Sequence, residues 1–141
     1  MVRASALALA LLAGCATAAP QGAAACQGEM WRETQLYLGR NIPGGGEVSD
    51  ADWQDFVESV VAPPFKDGFT VLDGTGFWLD SDTATTGQER SKVVVVLHPP
   101  DADAEAALHE VSNEYRRRFS QQAVLRAERP VCVNFDSGAG Q

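Results

Sequence analysis

Six side chains stand out as able to do chemistry: Glu33, Tyr37, Arg40, Trp78, Lys92 and His98. Each is costly to place, and none has an obvious role in a core. Glu33, Gln35 and Tyr37 alternate along the chain. On a strand, that spacing puts a carboxylate, an amide and a phenol on one face. With Trp78 as an aromatic wall and Arg40 or Lys92 as a cation, such a face could hold a small ligand. His98 closes a long apolar run and could serve as a general base at a strand end. Each also has a structural alternative. Glu33 would then pair with Lys92 or Arg40, and His98 would be a hydrogen-bonded edge residue.

Other arrangements fail on inspection. Asp80-Ser81-Asp82 opens like a calcium loop, but Ala84 and Thr85 stand where an acid or amide and a glycine belong. Gly44-Gly45-Gly46 precedes a predicted helix and resembles a phosphate cradle. Glu47, Asp50 and Asp52 crowd the same end with negative charge, which repels an anion. Arg116-Arg117-Arg118 ends a predicted helix that begins with acids, the pattern that complements a helix dipole. There is no nucleophile-elbow context for a Ser-His-Asp set. The two histidines, His98 and His109, with no cysteine to spare, make no transition-metal set, so neither metal nor cofactor is expected.

One motif carries covalent chemistry. Leu12-Ala13-Gly14-Cys15 follows a charged start and a short apolar run, Ala4 to Ala13. It resembles a bacterial lipobox, in which the cysteine thiol is acylated and becomes the new N-terminus. Residues 1–14 are then a lipoprotein signal peptide, and Cys15 is the lipidation site. Ala16-Thr17-Ala18 offers the alternative of ordinary cleavage and a soluble periplasmic protein. The apolar run is too short to span a bilayer, which takes ~20 residues. No Asp follows Cys15, so the periplasmic face of the outer membrane is the expected address.

The chain carries 19 acids against 11 bases, a net charge of −8. This argues against nucleic acid, which calls for a basic face. It also disfavours docking on anionic lipid, so the membrane link is expected to be covalent. Residues 15–28 read as a lipidated cysteine and a flexible tether, 29–135 as one domain, and 136–141 as a polar tail. Cys26 and Cys132 are an even pair for an oxidising compartment and are expected to form a disulfide.

The elements that must position these residues follow from periodicity. Glu33–Arg40 alternates as a strand. Ser49 opens a helix, with Asp52 in a capping-box relation to it and Trp53, Phe56, Val57, Val60 and Val61 on one stripe, ended by Pro63-Pro64. Phe69–Leu72 is a strand, Asp73–Gly76 a bend or bulge, and Phe77–Leu79 resumes the strand. Asp80–Glu89 is expected to be loop, and Ser91–His98 the strongest strand. Asp101 to Phe119 is a second helix, and Ala123–Phe135 a last strand interrupted at Pro130. The order β-α-β-β-α-β predicts an α+β, ferredoxin-like fold. This is a four-stranded antiparallel sheet with two helices on one face. First and last strands are neighbours in it, which brings Cys26 toward Cys132. Val93-Val94-Val95-Val96-Leu97 is apolar on both faces, so the uncovered face is expected to be buried by a homodimer, a ligand or a folded-over loop.

A set of short motifs carries a resemblance. They are Glu33-Thr34-x-Leu36-Tyr37, Gly39, Ile42-Pro43-Gly44-Gly45, Trp53, Phe56, Phe65-x-Asp67-Gly68-x-Thr70-Val71-x-Asp73-Gly74-x-Gly76-x-Trp78 and Ser91-Lys92-Val93-Val94. Together, over residues 31–135, they resemble a bacterial family known as domain of unknown function 3574. Leu38 stands where the family pattern has an aromatic, and Phe77 where it has a Gln before the Trp. If that amide works in relatives, this chain lacks it. The resemblance implies a small secreted or lipid-anchored domain and supplies no catalytic residues. The expected role is binding, of a small ligand or an envelope protein, through the open sheet face. The alternatives are a cofactor-free enzyme of the dimeric α+β barrel type and a structural envelope protein.

Overall fold

The computed structural model describes residues 25–80 and 84–136. The expected signal peptide, Cys15, most of the tether, all but Asp136 of the tail and the centre of the calcium-like loop lie outside them. The chain forms β1 (Glu29–Gly39), α1 (Asp50–Phe56), β2 (Thr70–Asp80), β3 (Thr85–His98), α2 (Ala102–Arg118) and β4 (Leu125–Val133). All strand pairs are antiparallel, in the order β2-β3-β1-β4. This is an α+β fold with a four-stranded antiparallel sheet and two helices.

Local chemistry sets the element ends. Ser49 and Asp52 form the capping box expected from their spacing, with the Asp52 amide donating to Ser49 Oγ at 3.1 Å. After α1 the chain continues through a π turn, Val57–Val61, before Pro63 and Pro64 stop it. Asp101 caps α2 by accepting from the Ala104 amide at 2.8 Å.

Three expectations are corrected. Asp73–Gly76 is neither bend nor bulge; it pairs in regular register with Glu89–Lys92. The expected loop Asp80–Glu89 is mostly strand, because β3 begins at Thr85 and runs on with β2 as a long hairpin. β4 is not interrupted at Pro130, which pairs with Arg32. As an edge strand, β4 can lose one N–H without breaking a ladder on both sides.

Both helices pack on the same sheet face. Leu36 and Leu38 of β1 and Val94 and Val96 of β3 meet Trp53 and Phe56 of α1 and Leu108, Val111 and Tyr115 of α2. Edge-to-face aromatic contacts link Phe56 to Tyr115 at 5.1 Å and Tyr115 to Phe119 at 4.9 Å. The Tyr115 hydroxyl donates to the Gly39 carbonyl at 2.9 Å, pinning α2 to the end of β1.

Cys26 and Cys132 are joined, with their Cα atoms 5.5 Å apart. The bond spans 106 residues of sequence. A loop of that length implies up to about 4–5 kcal/mol of stabilisation in the chain-entropy model. Urea unfolding of the Cys26→Ser/Cys132→Ser variant should therefore show a much lower midpoint, matched by the reduced wild-type protein. An unchanged midpoint would mean the sheet closes without help from the bridge.

Candidate functional site

Strand register divides the six sequence candidates between the two sheet faces. Glu33, Gln35 and Tyr37 of β1 point away from the helices, opposite Leu97, Val95 and Val93 of β3. Leu72 and Trp78 of β2 fall on the same face, as do Leu125 and Arg129 of β4. Arg40, Lys92 and His98 take the opposite parity and belong to the helix side. The structure thus puts Glu33, Tyr37 and Trp78 on the same face, Trp78 on the hairpin arm beyond the end of β1, and the other three candidates on the opposite one.

The three helix-side residues have structural partners. Arg40 is almost fully buried, and its Nε donates to the Val48 carbonyl at 2.8 Å. Its guanidinium also lies 2.8 Å from Asp50 and 3.3 Å from Glu47. Lys92 pairs with Asp73 at 2.5 Å and lies 5.8 Å from the centre of the Trp53 ring. The same Lys92 contact holds the Asp73 carboxyl below the usual range. His98 Nδ1 is 2.7 Å from the Pro99 carbonyl, which can only accept, so Nδ1 donates. Its Nε2 meets the Thr34 hydroxyl at 2.9 Å. His98 is thus held at both ring nitrogens on the covered face.

The open face has a polar row set among apolar side chains. The Tyr37 hydroxyl donates to Gln35 Oε1 at 2.6 Å, and Gln35 Nε2 donates to Glu33 Oε1 at 2.6 Å. Arg129 Nη2 completes the row, donating to Glu33 Oε2 at 2.7 Å. Glu33 therefore pairs with Arg129, and not with Lys92 or Arg40 as its structural alternative has it. The Arg129 hydrogen bond, and then that from Gln35, hold the Glu33 carboxyl below its ordinary range against the opposing effect of desolvation. The group is an ionised acceptor at neutral pH and is ill-suited to act as an acid. Glu33, Gln35, Ala127, Glu128 and Arg129 line a shallow, open depression. The same face carries exposed Tyr37, Leu72, Leu97 and Leu125. Trp78 lies over Gly87, where a Cβ would meet the ring at a tight 3.1 Å.

Arg129 was missing from the sequence candidates, although a signal for it existed. A disulfide between Cys26 and Cys132 aligns the start of β1 with the end of β4. The actual register sets Met30 opposite Cys132, and Glu33 then falls opposite Arg129. The basic run at the end of α2 behaves as its position implies. Arg117 and Arg118 both bind Glu114, whose carboxyl is lowered to about 2, and Arg118 reaches Asp55 of α1.

Residues 33–135 match the family model described as a protein of unknown function, DUF3574. The chain belongs to this family. No curated protein matches the DUF3574 sequence. Among solved structures it resembles a phage SAM lyase in complex with S-methyl-5′-thioadenosine, with a TM-score of 0.57 and 13% identity. That alignment covers 70% of this chain and 80% of the lyase. The apo state of a phage SAM lyase aligns with a TM-score of 0.52 and 13% identity, over 77% of this chain and 94% of the other. At this identity the likeness shows a shared fold and no more.

The Glu33–Arg129 pair makes a testable pH statement. The folded carboxyl titrates below its ordinary 4.5, so its contribution to stability is complete above that pH and is lost as pH falls below it. In Arg129→Ala, desolvation acts with less to oppose it, and the Glu33 titration followed by carbon NMR should move upward. The acid limb of the stability curve should flatten with it. A Glu33 midpoint unmoved by Arg129→Ala would show that the pair is not coupled.

Proposed function

We propose that this DUF3574 protein is a lipid-anchored envelope protein of ferredoxin-like fold that binds a small amphipathic ligand on its open sheet face. The fold assignment rests on the β-α-β-β-α-β order together with the strand order β2-β3-β1-β4. The address rests on Leu12-Ala13-Gly14-Cys15 behind a short apolar run. In this reading the lipid on Cys15 anchors the chain at the periplasmic face of the outer membrane, and residues 16–28 tether the domain.

The observation that carries the binding role is the composition of the open face. Exposed Leu72, Leu97 and Leu125 share the face with a row of polar groups, Tyr37 to Arg129, that already satisfy one another. Large apolar groups left in water on a sheet face mark an interaction surface. A ligand with a flat apolar body would cover them. Its polar end would meet Arg129, most of whose side chain is exposed, and the free lone pairs of the Tyr37 hydroxyl. The shallow shape and the ionised, Arg-paired Glu33 favour binding over catalysis.

The likeness to the phage SAM lyase supports a second reading, a cofactor-free enzyme. An ionised carboxylate linked through Gln35 to a phenol would suit a cationic substrate. Incubation of the purified protein with SAM tests this directly; unchanged SAM removes the reading.

Native mass spectrometry of the full chain, purified from the envelope in detergent, tests the main proposal. The wild-type protein should carry acyl mass on Cys15, lost in Cys15→Ser, and a non-covalent small molecule, lost in Tyr37→Ala and Leu125→Asp. A wild-type chain with no retained small molecule, and no gain of one from an envelope extract, would overturn the binding role.

A further inference from the structure

The two edges of the sheet are built differently. β4 is guarded by Pro130, which offers no N–H, and by Arg126, Glu128 and Arg129 in the same stretch. Those are the usual devices against edge-to-edge pairing. β2, the other edge, is 11 residues long and has no proline, lysine or arginine. It also carries the densest run of exposed large apolar side chains: Leu72 at 52%, Phe77 at 67%, Trp78 at 47% and Leu79 at 68%. With β3 it extends six positions past the end of β1, since Gly39 pairs with Ser91 and β3 begins at Thr85. An arm apolar on both faces, whose outer edge pairs with no strand among the described residues, is a pairing surface left open.

We propose that β2 pairs antiparallel with β2 of a second copy of this chain, about a two-fold axis at Thr75. The strand's own sequence fits this register. Thr75 is the midpoint of Thr70–Asp80, and Val71, Leu72, Trp78 and Leu79 are symmetric about it, while Phe77 falls opposite Asp73. Leu72 falls opposite Trp78 of the second copy on the open face, and Val71 falls opposite Leu79 on the helix side. Gly74 faces Gly76, and Thr75 faces itself. Keeping both open faces on one side requires opposed positions of equal parity, which allows registers two residues apart only. A shift of two in one direction sets Leu72 against Gly76, and in the other sets Trp78 against Gly74. The register centred on Thr75 gives three of the four exposed apolar residues, Leu72, Trp78 and Leu79, an apolar partner, and either shift gives fewer. The charge nearest the axis, Asp73, is already neutralised by Lys92 of its own chain.

The area is adequate. Four large apolar side chains from each copy, each roughly half to two-thirds exposed, offer on the order of 1,000 Å² across the pair, the threshold for a specific interface. The product is an eight-stranded sheet with one continuous open face. At its centre two Leu72–Trp78 pairs flank a strip over Gly74 and Gly76 that carries no side chains. The second copy thereby contributes Leu72 to the wall beside Trp78. The proposal goes beyond the ligand reading and does not depend on it, because the pairing holds whether or not the face is occupied.

Directly opposed residues of antiparallel strands have Cα atoms ~4.5–5.5 Å apart, within the reach of a disulfide. Full-length Thr75→Cys, expressed for export, should therefore run on a non-reducing gel at twice the chain mass and return to single mass on reduction. Thr70→Cys, which faces Asp80 of the second copy and lies far from its own counterpart, should stay at single mass. Adding Trp78→Lys to Thr75→Cys should abolish the doubled band, while an intact Cys26–Cys132 bridge and unchanged circular dichroism show that the chain still folds. Thr75→Cys remaining at single mass under oxidation would overturn the proposal. So would equal cross-linking by Thr70→Cys, or a doubled band that survives Trp78→Lys.

Discussion

Two helices cover one face of a four-stranded sheet, and no helix among the described residues covers the other. Everything else follows from that asymmetry. The covered face supplies the core through Leu36, Leu38, Val94 and Val96. The other face carries Val93, Val95 and Leu97 from the same strand, which is why β3 is apolar without alternation. In a half-exposed antiparallel sheet that second set costs solubility unless it is used. The polar row from Tyr37 to Arg129 sits in the middle of it with its hydrogen bonds already made, so that face can be covered without stranding an unpaired charge.

At the far end of β1 a buried charge holds the covered side together. Arg40 is the largest fully buried side chain, and a guanidinium tolerates that only when it is well paired. It gathers the Val48 carbonyl, Glu47 and Asp50, and so ties the glycine-rich loop and the start of α1 to the sheet. Gly44, Gly45 and Gly46 of that loop all take positive φ, which lets the chain turn back within reach of Arg40. Tyr115 closes the same corner from α2. Arg40, one of the two candidate cations, thus lies on the covered side, and Arg129 reaches the open face.

Much of this was legible in the sequence. The element order, the capping box at Ser49, the parity of Glu33, Gln35 and Tyr37, and the Cys26–Cys132 bridge all follow from spacing and composition. What escaped notice depends on pairing between distant segments. The length of the β2–β3 hairpin was hidden because Asp73–Gly76 and Thr85–Glu89 are rich in glycine and polar residues. They become strand only by pairing with each other, which is a tertiary effect on weak local propensity. The division of Arg40, Lys92 and His98 from Glu33, Tyr37 and Trp78 turns on single-residue register, since a slip of one exchanges the faces.

The central claim is that the open face is the working surface of this protein. Methyl NMR of the purified protein, titrated with an envelope extract, tests it most directly. The account predicts shifts at the Val93, Val95, Leu97 and Leu125 methyls, with Val94, Val96, Leu36 and Leu108 unmoved. Shifts confined to the second set, or no shift in either, would contradict it.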